Sequence, residues 1–276
     1  MQIKNFPVNS KNSYVVFENN DKIEELEPFM KENKLSRVIF SGFLGYSKSV
    51  LPFNNDIDVI EEISIQCSNI TDLTPLYHLS NIKKISIEEN AALAHPFDIR
   101  KIAKLTDFFT DDTLKIDGFF DHPTLKQLHI EPKKTKKLDI HNENNILESL
   151  SITNSHILDL SNCKKLTNLK GLYIAYLPKI EDINFILDMP TLTDIEICSC
   201  KKIDNLIATL VQKNNLEKLT LWNQGNLDSI IPLSKLEHLT TLNIWEQTKI
   251  IDGKISFLEE MPNLKKIDIR KYTHYH

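Results

Sequence analysis

The sequence predicts an α/β solenoid: short parallel strands stacked side by side and joined by returns of mixed helical and extended character. Two observations carry that prediction. First, the pattern apolar-x-x-apolar-x-apolar, as in Leu216-Glu-Lys-Leu219-Thr-Leu221, begins at Leu35, Ile60, Ile82, Leu105, Leu125, Leu147, Leu169, Leu192, Leu216, Leu239 and Leu264. Second, successive starts lie 20 to 25 residues apart, giving about eleven repeats. A segment of that length cannot bury its own apolar face, whereas stacked copies share one continuous core.

The period and pattern resemble the leucine-rich repeat, whose core reads L-x-x-L-x-L-x-x-N/C-x-L. Ile60 to Ile82 shows it best, with Ile70, Leu73, Leu76 and Leu79 following the strand at the offsets of short internalin-like bacterial repeats. The resemblance covers about residues 35–270. It implies a horseshoe with a curved parallel β-sheet on its concave face, and it is silent on activity. One departure stands out. The inward Asn or Cys expected after each strand appears only as Asn90 and Cys200; elsewhere that slot holds Ser68, Thr113, Lys133, Ser155, Leu177, Gln224 or Gln247. Buried backbone groups left unpaired are costly, so these turns are expected to satisfy their hydrogen bonds by other means.

The 276 residues divide into an N-terminal cap, 1–34, and a repeat array, 35–276, that forms one structural domain. In the cap, Tyr14 to Phe17 reads as a strand. Asp21 to Lys34 reads as a helix with Asn20 or Asp21 as N-cap and Ile23, Leu26, Phe29 and Met30 on one face. A polar cover of this kind is what the open end of a solenoid core needs. The first repeat carries an insertion, SGFLGYSKSVLPFNNDID, in which Phe43 and Tyr46 either pack on the cap or stand exposed. Among the returns, Ile99 to Leu105 and Asn205 to Gln212 have helical spacing. Thr135 to Ile140 and Ser155 to Leu160 read as short extended segments. Pro123, Pro190 and Pro262 each sit two residues before the next pattern begins, where a fixed φ and a missing N–H end the return. After the last strand-like run, Leu264 to Arg270, only KYTHYH follows, and no C-terminal cap is evident. The charges Lys265, Lys266, Asp268, Arg270 and Lys271 there discourage edge-to-edge pairing; alternatively that edge docks a second copy or a partner.

Composition narrows the function classes. Net charge is −5, which disfavours nucleic acid or an anionic membrane, because phosphate binding needs clustered Lys and Arg. The one basic run, Lys133 to Lys137, reads as a solvated outer face. No apolar run approaches transmembrane length and the N-terminus lacks the apolar centre of a signal peptide, so a cytoplasmic protein is expected. Four cysteines, Cys67, Cys163, Cys198 and Cys200, are too few for a disulfide-stapled fold. Cys198-x-Cys200 invites a metal reading, but no second ligand pair accompanies it. Free thiols, no metal and no cofactor are expected.

The strand alternation assigns faces. Between the last two apolar positions lie Ile39, Ser64, Ser86, Phe109, His129, Ser151, Tyr173, Glu196, Thr220, Asn243 and Asp268, pointing onto the concave sheet. Two residues on lie Ser41, Gln66, Glu88, Asp111, Glu131, Thr153, Ala175, Cys198, Trp222, Trp245 and Arg270. Both tryptophans of the chain therefore share one repeat position in adjacent repeats, with Tyr173 and Tyr176 farther along. Exposed Trp and Tyr are enriched at binding hot spots; the competing reading is that the rings shield the sheet. An acidic set, Glu61, Glu62, Glu88, Glu89, Asp107, Asp111, Asp112 and Glu131, lies in the N-terminal half, diluted by Lys83, Lys84 and Lys126. It is either a solvated face or a surface that steers a basic partner.

No nucleophile–base pair, metalloprotease motif or phosphate loop is present, and His129 has no nucleophile beside it. The sequence thus points to a non-catalytic scaffold that binds a protein on its concave face. The binding residues would be Trp222, Trp245, Tyr173, Tyr176, Glu246, Glu196, His129 and Phe109. By analogy an immunity-like or effector-like bacterial module fits. A structural or self-assembling protein acting through the C-terminal edge is the alternative, and an enzyme comes third. Partner and oligomeric state are left open.

Overall fold

The computed structural model describes residues 1–5, 13–88, 93–141, 143 and 146–276; Glu89 and Asn90 lie outside these. The chain forms two compact units, Met1–Glu131 and Pro132–His276.

In the first unit the strands are β1 (Gln2–Asn5), β2 (Ser13–Val16), β3 (Arg37–Ser41), β4 (Glu62–Gln66), β5 (Lys84–Glu88), β6 (Phe97–Asp98), β7 (Asp107–Thr110), β8 (Ile116–Asp117) and β9 (Gln127–Ile130). Its main sheet runs β1-β2-β3-β4-β5-β7-β9. β1 and β2 pair antiparallel, and every later pair is parallel. The helix α1 (Ile23–Asn33) connects β2 to β3 and buries Leu26 and Met30. It starts later than expected because Asp21 is spent elsewhere. Its carboxylate accepts from the Met1 α-ammonium (2.6 Å) and the Glu18 N–H (2.9 Å), and Lys22 occupies the cap position without a side-chain bond. The inserted loop splits its two aromatics: Tyr46 is fully buried with its ring 5.0 Å from Phe40, while Phe43 is 87% exposed.

The second unit holds β10 (Ser149–Thr153), β11 (Gly171–Ala175), β12 (Asp194–Cys198), β13 (Lys218–Trp222), β14 (Asn226–Leu227), β15 (Thr241–Trp245), β16 (Lys249–Ile250) and β17 (Lys266–Ile269). The main strands pair in parallel with the register Leu172, Ile195, Leu219, Leu242, Ile267. The repeat's apolar positions thus meet their own copies. In β13 the alternation is direct: Leu219 and Leu221 are buried, Thr220 and Trp222 half-buried, Lys218 exposed. Returns are mostly single 3-10 turns, such as Thr74–His78, Ser161–Lys165 and Ile231–Lys235. The helical spacing at 205–212 yields the short α2 (Leu206–Leu210), while that at 99–105 yields only a 3-10 turn, Ile99–Lys101. The two extended returns meet in one parallel bridge, Lys137 with Asp159, and two further pairs, β6–β8 and β14–β16, add short parallel ribbons.

The turns after the strands follow one rule in the second unit. Asn154, Tyr176, Ser199, Asn223 and Glu246, each next after the strand, have φ of 50° to 54°. The first four donate an N–H to the last strand residue of the next repeat. The inward slot is then filled by whatever can pair: Ser155 Oγ donates to Pro132 O, Cys200 Sγ lies 3.3 Å from Cys198 O, and Gln224 Nε2 donates to Ile197 O and Trp222 O. Two slots are displaced by one residue. Cys67 and Thr248 are buried, where Ser68 and Gln247 were expected, because those turns differ by a residue in length.

The chain end differs from expectation. KYTHYH folds back along the last return. His276 donates its N–H to Gly253 O and accepts at its carbonyl from Ile255 N–H and Ser256 N–H, while the Ile250 N–H bonds Tyr275 Oη. Gly253 is required here: its φ is +65°, and a Cβ would lie 2.4 Å from His274 O. The return side is thereby tied down, but Ile267 in β17 remains 43% exposed.

Candidate functional site

The open sheet face of the second unit carries most of the expected binding residues. Register places Tyr173, Glu196, Thr220 and Asn243 in one row across β11, β12, β13 and β15. Ala175, Cys198, Trp222 and Trp245 form the next row. Adjacent strands lie about 4.8 Å apart, and the two indoles meet edge-to-face with centroids 6.0 Å apart and planes at 82°. They are half-buried rather than fully exposed. Ala175 and Cys198, expected on this face, are buried, as are Ser41 and Thr153 at the same repeat position. All four are small side chains at a strand end. At Cys198 part of the cover is Tyr176, itself 51% exposed, whose hydroxyl pairs with the thiol.

Two members of the row are electrostatically uneasy. Burial, and then Asp194, raise the pKa of Glu196 above the ordinary carboxylate value. Burial pushes the Tyr173 hydroxyl up to about 12. Glu196 has no hydrogen-bond or ion-pair partner among the described residues, whereas Asp194 is held by Lys218 at 3.0 Å. Asn243 was placed on this face but not singled out. It is only 7% exposed, its Nδ2 donates to Thr220 Oγ1 (3.0 Å), and its Oδ1 has no partner among the described residues. Its register neighbours are Thr220 and Asp268, and Trp245 lies two residues on along the same strand. No sequence signal marks that burial. Glu246 stands exposed beyond Trp245, its carbonyl accepting from Tyr272 Oη at 3.2 Å.

Phe109 and His129 belong to the first unit. They stack at 4.3 Å with planes 17° apart, and burial lowers the His129 pKa against the raising effect of Glu131, so the ring is a neutral stacking partner. Beside them the small Ser64 and Ser86 leave a depression of about 370 Å³ walled by Tyr14, Leu44 and the Arg37–Glu62 pair (2.7 Å). Within the acidic set, Glu61 pairs with Lys83 (2.6 Å) and Asp107 with Lys84 (3.3 Å), while Glu88 takes Gln66 and Ser86. On the returns, Lys137 of the basic run pairs with Asp159 (2.6 Å).

All four cysteines are free and buried. Among the described residues no group of three or more His, Cys, Asp or Glu side chains is placed to hold a metal, and no helix is long and apolar enough to cross a membrane.

No protein-family model and no curated protein matches the chain. Among solved structures it is similar to an internalin, inlF, from Listeria monocytogenes: 20% identity, TM-score 0.55, covering 91% of this chain and 71% of that one. The fold is the leucine-rich repeat. Two other Listeria monocytogenes structures are more distant. Internalin C2 matches at 16% identity and TM-score 0.40, over 75% of this chain and 83% of that one. The functional domain of InlJ, described as including a cysteine ladder, matches at 18% identity and TM-score 0.39, over 80% and 54%. Among the described residues of this leucine-rich-repeat chain the inward slots include Cys67, Ser155, Leu177, Cys200, Gln224 and Thr248.

Proposed function

We propose that this is a non-catalytic scaffold that recognises a protein on the open sheet face of its second unit, centred on Trp222 and Trp245. The observation that carries the reading is the coincidence of the chain's only two tryptophans at one repeat position, half-buried and edge-to-face. Large rings held rigidly by a sheet add contact area at little entropic cost, which is why they dominate hot spots. Tyr173, Glu196, Tyr176 and Glu246 extend the surface. Phe109 and His129 form a separate aromatic pair on the first unit's face. Residues 1–34 serve as the cap of the first repeats. Four free thiols support a reducing, cytoplasmic setting, and an immunity-like or effector-like role suits such a scaffold.

The test is affinity capture from native lysate with wild type, Trp222→Ala, Trp245→Ala and a Lys133/Lys134 double alanine variant. Truncating a hot spot costs about 2 kcal/mol or more, over tenfold in affinity. The tryptophan variants should lose a partner that the lysine variant keeps, with melting nearly unchanged. Normal capture with early melting would mean that the rings are cover for the sheet. The second reading, self-association through β17, is favoured by the exposure of Ile267; concentration-dependent assembly abolished by Ile267→Lys would support it.

A further inference from the structure

The row of acceptors beside the tryptophans narrows the chemistry of the occupant. On this face the carboxylate of Glu196 and the Oδ1 of Asn243 both lack a partner among the described residues, and both are acceptors. They lie two strands apart in one row, about 10 Å between backbones from the strand spacing, with Thr220 between them. The Thr220 hydroxyl is already occupied as acceptor for Asn243 Nδ2. No lysine or arginine stands in either row across β11, β12, β13 and β15; past β15 the rows continue as Asp268, beside Asn243, and Arg270, whose guanidinium is engaged by Glu246 O (3.4 Å) and the Tyr272 ring (5.7 Å). The nearest cation on these strands, Lys218, is held by Asp194. An anionic group at Glu196 would therefore meet unpaired carboxylate oxygen, with the Arg270 guanidinium three strands away and already engaged.

A cation meets the opposite situation. Indole faces attract cations through their quadrupole. A guanidinium, planar and carrying five N–H donors in a fixed fork, can stack on a ring while donating sideways to two separate oxygens; an ammonium is a point charge that does neither well. Resting on the recognition reading above, we propose that the second unit's open face takes an arginine side chain of the protein partner, its guanidinium against the Trp222–Trp245 pair and donating to the Glu196 carboxylate. A half-buried carboxylate with no partner among the described residues gains one in such a guanidinium.

Both tryptophans are in this site, so intrinsic emission reports on it alone. The probes are capped hexapeptide pools, each with one residue type fixed at one position and the others randomised, titrated against the full chain. Arginine-fixed pools should shift the emission saturably, lysine pools less, and citrulline pools, isosteric but neutral, not at all. Glu196→Gln should weaken the arginine response about tenfold with unchanged melting. Equal responses to arginine and citrulline, or a Glu196→Gln variant that titrates like wild type, would overturn the assignment. If apolar- or acidic-fixed pools shift the emission instead, arginine falls but recognition through this face stands. If no pool shifts it and Trp222→Ala and Trp245→Ala keep their captured partner, both fall.

Discussion

Ser151 and Ser155 lie four residues apart in the second unit, and the same substitution should move stability in opposite directions. Ser155 is 1% exposed; its Oγ donates to Pro132 O at 2.7 Å and accepts from Ile157 N–H at 3.1 Å. Ser155→Ala leaves the fully buried Ile157 N–H without that acceptor, a loss of about 1–3 kcal/mol, and forgoes the bond to Pro132, about 1 kcal/mol more. The expected loss is about 2–4 kcal/mol. Ser151 instead keeps its Oγ buried with no partner among the described residues. Ser151→Ala removes a desolvated hydroxyl and should be neutral or stabilising by up to about 1 kcal/mol. Urea unfolding followed by both circular dichroism and tryptophan emission reads this out, since coincident transitions establish that the array unfolds as one step. With m about 3 kcal/mol/M, Ser155→Ala should lower the midpoint by about 1 M. Equal losses at the two sites, or a larger loss at Ser151, would refute the account of how these turns are held.

Other outcomes follow from the same packing. Leu219→Ala should cost about 2–5 kcal/mol as a fully buried leucine, while Thr220→Ala on the open face should cost little; equal losses in denaturant melts would overturn the face assignment. Burial pushes the Cys163 thiol up to about 12 and Cys200 up to about 11, so iodoacetamide at pH 8 should label none of the four cysteines in the native state and all four in urea. Rapid native labelling, or stoichiometric zinc by elemental analysis, would contradict it. His122 is 1% exposed, with Nε2 donating toward Ile99 O and Ile102 O and Nδ1 accepting from Thr124 N–H. Burial lowers its pKa below the ordinary 6.5, so the unfolded chain takes up the proton first. Its stabilising effect is complete above about pH 6.5 and is lost as pH falls below that. The urea midpoint should drop between pH 7 and 5.5, and a flat profile would refute the buried neutral tautomer.

The solenoid was legible because its signal is periodic: Leu219, Leu242 and Ile267 occupy equivalent positions that meet in register, and eleven weak copies of one pattern reinforce each other. Features that depend on one turn were less legible. Cys67 and Thr248 take the inward slot one residue away from Ser68 and Gln247, since a one-residue change in turn length is invisible to a fixed offset. Asp21 looked like a helix cap, but a chain terminus distant in sequence claimed it. At the candidate site, alternation placed Trp222, Trp245, Glu196 and Asn243 on one face. It could not say that Asn243 would be hidden, or that Cys198 and Ala175 would be covered, because burial on a sheet face is set by neighbours on other strands. The fold back of KYTHYH onto Gly253 likewise required a close approach that only the assembled repeat creates.

The left-handed residue that follows β10, β11, β12, β13 and β15 has a consequence for engineering. Asn tolerates that conformation, and Asn154 and Asn223 occupy it naturally; for other side chains it costs on the order of 1 kcal/mol. Tyr176 and Glu246 sit there at φ of 54° and 53° all the same. Glu246 is therefore an unspent stability reserve, where Asn or Gly would relax the backbone without touching the core; at Tyr176 the same change would also uncover the Cys198 thiol. Both are also where a side chain is thrown off the rim of the sheet at a fixed angle, one per repeat. A designer who wished to re-aim this surface could change its outline repeat by repeat at that single column, using Asn elsewhere in the column to restore whatever stability the new rim residues remove.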